Sequence, residues 1–266
     1  MAIEYQSFVV AQAPVVPVRA KEREQAEMVS QLLWGEVAGV ISETARWFEI
    51  VSADGYRGWI DRKMVCPSRV SFMDAVYIEC PVVKTAFAAF VSTGTDSGLL
   101  YLPMGSRIVG FQKENNRFDV GKIQYQLIQG DVDVPGWSSV DQCLCTARQL
   151  LHAPYLWGGR NFMGIDCSGF VQLVYGVNGV SLPRDAWQQA CCGKEVASLS
   201  EVLPGDLAFF SRPEGRISHV GFLLSPRQII HASGCVRIDG IDNRGICTEQ
   251  GVYTHSLTAI RRINAG

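Results

Sequence analysis

Cysteine and histidine supply the nucleophilic chemistry available to this 266-residue chain, and three such residues stand in a suggestive order. Cys167 lies in "GIDCSGFVQLVY", His219 in "RISHVGFLL" and His231 in "RQIIHASG". A thiol attacks as its thiolate, and an unperturbed cysteine titrates near about 8.5, so it needs help at neutral pH. Asp166 and Ser168 are cap-type residues, and apolar residues at helical spacing follow them. The pattern predicts a helix over residues 167–178 with Cys167 in its first turn. There the helix dipole and free N–H groups favour an anion, and the Cys167 N–H is placed to help hold an oxyanion. A base is the second source of help. His219 falls at a strand start and His231 at the end of the next strand, so antiparallel pairing brings the imidazoles together. One would serve the thiol, and the other would orient the first through its second ring nitrogen.

The remaining candidates read more plainly. Cys66, Cys80, Cys143, Cys145, Cys191, Cys192, Cys235 and Cys247 read as small hydrophobes. His152 and His255 read as satisfied core or surface groups. "CLC" at 143–145 lacks the two-residue gap of a zinc hook, so neither metal nor cofactor is expected. Nine cysteines, two of them adjacent, cannot form a complete intramolecular disulfide set, which fits a reducing compartment. The formal net charge of -2 gives no electrostatic reason to expect a nucleic-acid or anionic-membrane partner. "FVVAQAPVVPV" has no basic segment before it and is interrupted by Gln12, Pro14 and Pro17. It makes a poor signal peptide, and no apolar run reaches the ~18 residues of a membrane span. A cytoplasmic protein is expected.

The elements that must position these side chains come in two styles. Residues 7–67 read as short strands and turns: "WFEIV" a strand, "ADG" a turn, "YRGWI" a strand, together a small all-β barrel. Residues 76–130 echo this weakly, with a period of about 60–65 residues. "DVDVPGWSSVD" at 131–141 is a boundary. Ser139 or Asp141 caps a helix over "DQCLCTARQLLHA", which Pro154 ends. After the helix at 167 comes a short one from about 184. The strands "GDLAFFS", "HVGFLLS", "QIIHASG" and "VRIDGID" follow. Helices first and strands second is an α+β pattern. With 47% hydrophobic residues, the chain has ample material for its cores.

"YLWGGRNFMGIDCSGFVQLVYGVNGVSLPRDAWQQ", "LPGDLAFFS", "ISHVGFLL" and "IIHASG" together resemble the NlpC/P60 family of cell-wall cysteine peptidases, over residues from about 140 to 263. The resemblance implies a papain-like α+β catalytic domain. It makes Cys167 the nucleophile, His219 the base and His231 the orienting third member. The strand pattern ending in "GYRGWI" resembles bacterial SH3 (SH3b) modules, and the second copy lacks the G-W end. The implied organisation is an SH3b module at 1–68, an SH3b-like module at 69–136 and the catalytic domain at 137–266.

This combination resembles the YkfC-type γ-D-glutamyl-L-diamino acid endopeptidases. They cut free stem peptides between D-glutamate and diaminopimelate or lysine, in murein peptide recycling. Carried over by motif, Glu36, Tyr56 and Asp166 would meet the free amine of an N-terminal L-alanine, and Ser168 would contact substrate. An ammonium left unpaired in a closed pocket costs several kcal/mol, so carboxylates and a phenol suit the task. By residue type alone, Glu36 is a solvated turn residue, Tyr56 a barrel-core aromatic and Asp166 a helix cap. Trp157 is either an apolar wall of the pocket or a core residue. Arg184 lies near the site in the pattern, with an ion pair as its plainer role. Ala186 departs from the family, where a serine often binds the amine end. Two other readings remain on the residues. One is a peptidoglycan-binding protein with an inactive papain fold, against which the intact Cys167, His219 and His231 weigh. The other is an amidase or acyltransferase on other amides or lipids, with no dependence on Glu36.

Overall fold

Short alternating apolar segments cut by glycine and aspartate turns favour strands through most of the first half of the chain. The computed structural model describes residues 3–93, 98–212, 214–248 and 250–263. The chain divides into two compact units, Met1–Pro135 and Gly136–Gly266.

In the first unit seven strands pair in the order Met28–Leu33, Val15–Arg19, Arg57–Asp61, Trp47–Ser52, Val37–Glu43, Ser7–Ala11, Val65–Ser68. Val16, Leu32, Ile50 and Ile60 meet inside this sheet and are fully buried or nearly so. The "ADG" turn forms as read. Gly55 takes φ +80°, and Asp54 accepts the Tyr56 N–H at 3.1 Å. Residues 69–135 are built differently. They form a four-stranded sheet ordered Leu99–Pro103, Phe87–Thr93, Ile123–Gln129, Arg117–Val120, and a separate ladder of Val82–Val83 with Val132–Asp133.

These two stretches pack on each other. Trp34 packs on the core of the second module beside Phe90 and Phe118. The Arg107 N–H donates to the Trp34 carbonyl at 2.8 Å. Gly35, at φ +74°, lies so close to the Arg107 carbonyl that a Cβ there would sit 2.1 Å from its oxygen. Shared apolar burial and this backbone approach make the two modules one unit.

The second unit begins with a helix over Val140–Arg148, capped by Ser139, which accepts the Gln142 N–H at 3.1 Å. It stops short of the expected "LLHA". His152 takes φ +71°, and its N–H goes to the Val236 carbonyl at 2.8 Å, so tertiary pairing claims the chain before Pro154 does. The helix Cys167–Val177 is buried on all sides except at Gly176, as its continuous apolar sequence requires. Phe170 meets Phe222 edge-on at 5.5 Å, and such a buried aromatic contributes about 2 kcal/mol or more. A short helix, Ala186–Gln189, follows.

The helix Cys167–Val177 packs on a sheet that closes on itself. Its strands run Tyr253–Arg262, Leu207–Ser211, Ile217–Ser225, Gln228–Ser233, Cys235–Asp242 and Gly245–Cys247, and the last returns to the first. This is a six-stranded barrel with Lys194–Glu195 added outside. Closure is tight: Gly245, at φ +139°, leaves no room for a Cβ beside the His255 carbonyl. The α+β reading holds for this unit, while β structure dominates the chain as a whole.

Candidate active site

Cys167 is the first residue of its helix, and Asp166 is the N-cap, in extended conformation. Asp166 Oδ1 accepts the Gly169 N–H at 2.7 Å, and Oδ2 accepts the Gly158 N–H at 2.9 Å. The Arg184 guanidinium closes on the same carboxylate at 3.0 and 2.5 Å and donates to Ser168 Oγ at 2.9 Å. Arg184 is 1% exposed, so this fork is a buried ion pair. The sequence explains the fit. A Cβ on residue 169 would lie 2.4 Å from the Gly159 carbonyl, so the "DCSG" glycine lets the helix pass the "WGG" backbone. A hairpin of Arg160–Asn161 with Gly164–Ile165 delivers the chain to that point.

The two histidines meet across adjacent strands. His219 Nε2 lies 2.8 Å from His231 Nδ1, and His231 Nε2 lies 3.0 Å from Asp239 Oδ2. Arg237 Nη2 donates to Asp239 Oδ1 at 2.7 Å. Gly221 makes room: a Cβ there would sit 2.7 Å from His231 Cβ. Donor logic then sets the tautomers. The Asp239 carboxylate only accepts, so His231 carries its proton on Nε2 and presents Nδ1 as an acceptor. His219 therefore donates from Nε2, which leaves a lone pair on its Nδ1. That nitrogen is free to act as a base. Cys167 Sγ lies 3.8 Å from the Ser218 carbonyl, and the Val220 N–H favours its thiolate, so the sulfur sits against the backbone on both sides of His219.

The electrostatics differ from the expectation of a thiol lowered by its helix. Cys167 is 5% exposed. Burial, and then the Asp166 charge, push it up to about 12, against the pull of the Val220 N–H and Arg184. His219 is held well below the ordinary imidazole value by burial and by His231 and His255. Loss of water outweighs the dipole here. Both shifts favour the neutral forms, a thiol at Cys167 and an imidazole at His219. Asp239 lies below its usual range because it accepts from His231 and Arg237.

His255 was expected to be a satisfied bystander. Instead its ring stacks on His219, with centroids 4.1 Å apart and planes at 26°. Burial lowers it to about 4. Barrel closure puts it there, because Ile246 pairs with His255. Asp239 had only strand alternation as a signal. Of the other residues named from the sequence, Asp166, Ser168 and Arg184 form one buried cluster under the helix start. Trp157, 56% exposed, lines a cleft of about 550 Å³ together with Tyr155, Ser218, His219 and His255. Ala186 is buried at the start of its short helix. Glu36 and Tyr56 belong to the first unit. Glu36 accepts the Leu33 N–H at 2.9 Å, and Tyr56 is half-buried beside the Gly55 turn. Among the described residues no cluster of three or more His, Cys, Asp or Glu side chains is arranged to hold a metal ion.

A thiol at a helix start, facing histidines on a barrel, defines a papain-like cysteine peptidase, and residues 152–254 match the NlpC/P60 family. These residues form an NlpC/P60 family cysteine peptidase domain. Residues 18–64 match the bacterial dipeptidyl-peptidase SH3 domain. The chain is 28% identical over 247 residues to a γ-D-glutamyl-L-lysine dipeptidyl-peptidase of Bacillus subtilis strain 168, covering 88% of this chain and 80% of that one. A Bacillus cereus enzyme of the same name is 23% identical, with 77% and 67% covered. In fold, the chain is similar to an NlpC/P60 family protein from Bacillus cereus ATCC 10987, with TM-score 0.81 and 19% identity over 96% of this chain and 99% of that one.

Proposed function

We propose that this peptidase hydrolyses the γ-D-glutamyl bond to a diamino acid in free stem peptides that begin with L-alanine. The reading rests on the Asp239–His231–His219 chain beside Cys167, and on the names of the two Bacillus relatives. In the proposed cycle His219 Nδ1 takes the thiol proton as sulfur attacks the γ-carbonyl carbon. The Cys167 N–H helps to hold the oxyanion. His219 then protonates the leaving amine, and water releases the thioester with His219 again as base. Cys167→Ala abolishes turnover in this scheme.

Recognition of the free amine by Glu36, Tyr56 and Asp166 belongs to the same proposal and comes from the family motif. Arg184 already balances the charge of Asp166, so the ammonium depends chiefly on Glu36. An N-acetylated peptide offers no ammonium to the Glu36 carboxylate, which disfavours it. A role in cytoplasmic recycling of cell-wall peptides, and a second SH3b-like module at residues 69–136, complete the proposal. The test is mass spectrometry of digests of L-Ala-γ-D-Glu-diaminopimelate and its N-acetylated form. Cleavage of the first alone supports the reading, and equal cleavage of both refutes it.

A further inference from the structure

The cleft beside His219 is lined by hydroxyls and one full charge. Ser211, Ser218, Ser233, Thr254, Ser256 and Tyr155 supply the hydroxyls, and Arg212 supplies the charge. No aspartate or glutamate stands among these lining residues. His219 and His255 line it too, and both are held below the ordinary imidazole value, so they add no charge at neutral pH. Arg212 sits in the turn between the strands Leu207–Ser211 and Ile217–Ser225. Its N–H donates to the Arg216 carbonyl at 3.0 Å, and its carbonyl accepts the Gly215 N–H at 2.8 Å. The charge of its guanidinium is felt at the Tyr155 phenol. Among the described residues no carboxylate pairs with Arg212.

A guanidinium offers a planar fork of donors that matches a carboxylate, and neighbouring hydroxyls can donate to the same anion. The lining itself gives an ammonium no partner of opposite charge, because none of its residues is an acid. We propose that Arg212 and the hydroxyls around it form a carboxylate-binding subsite that reads a free carboxylate of the peptide substrate. The inference rests on the peptidase reading given above. A γ-linked stem peptide carries such carboxylates in two places. One is the α-carboxylate of the glutamyl residue on the acyl side. The other is on the diamino acid that leaves.

The experiment uses the full chain and three peptides. They are L-Ala-γ-D-Glu-diaminopimelate, the same peptide with the glutamyl α-carboxylate amidated, and the same peptide with the diaminopimelate carboxylates amidated. Each is assayed with the wild type, Arg212→Gln and Arg212→Lys. On the parent peptide Arg212→Gln lowers kcat/KM by on the order of tenfold or more, and Arg212→Lys loses less. With one amidated peptide the wild type and Arg212→Gln become equal, and that peptide identifies the carboxylate. The subsite is overturned if Arg212→Gln matches the wild type on the parent, or loses the same factor on all three peptides. If the wild type cleaves none of them, the substrate reading itself fails, and the subsite falls with it.

Discussion

Asp239 illustrates how much one side chain can decide at the residue scale. Its carboxylate fixes the His231 tautomer, which fixes that of His219. Asp239→Asn keeps the shape but can donate from its amide, so the chain of donors no longer forces a lone pair onto His219 Nδ1. A kcat lower by about 10- to 100-fold, with KM little changed, is the expected result of steady-state assays. The thiol makes a second prediction at this scale. Burial raises Cys167 to about 12 and lowers His219, so near pH 7 the neutral thiol dominates. The thiolate fraction then grows as pH rises. Alkylation of Cys167 by iodoacetamide should accelerate steadily from pH 6 to 9. A preformed thiolate–imidazolium pair would instead give a flat rate across that range.

At the scale of elements, one close approach holds the two histidine strands in place. The strand carrying His219 accommodates its neighbour only because residue 221 lacks a Cβ. Gly221→Ala pushes His231 away from its place, since overpacking of this kind costs about 1–3 kcal/mol. Loss of activity larger than the loss in Tm is the expected signature, read by thermal unfolding beside a peptide assay. The expected reach of the first helix, by contrast, was too long. "QLLHA" has helical spacing, yet the His152 N–H finds its partner on the strand Cys235–Asp242. Local periodicity carries no record of such a partner.

The whole molecule is two units, and each has its own core. Gly35 links the two modules of the first unit through its approach to the Arg107 carbonyl, at a φ that only glycine adopts cheaply. Gly35→Ala should destabilise the first unit by more than about 1 kcal/mol, seen as a lower Tm. The rate of Cys167 alkylation at fixed pH, which reports on the second unit, should stay near the wild-type value.

The sequence by itself placed Cys167 at a helix start and His219 and His231 on neighbouring strands. "DCSG", "HVG" and "IHAS" are local motifs whose glycines and caps act within a few residues of the chemistry. It also determined the strand-rich first half and the break near residue 136, because alternation and turn residues are local properties. Only the tertiary structure decided that His255 stacks on His219, that Asp239 pairs with His231 and that Arg212 borders the cleft. Those residues reach the site through barrel closure and strand register, which pair segments far apart in the chain. The state of the thiol was also decided there. A helix start favours the anion, but the depth of burial is set by everything packed around it, and at Cys167 burial wins.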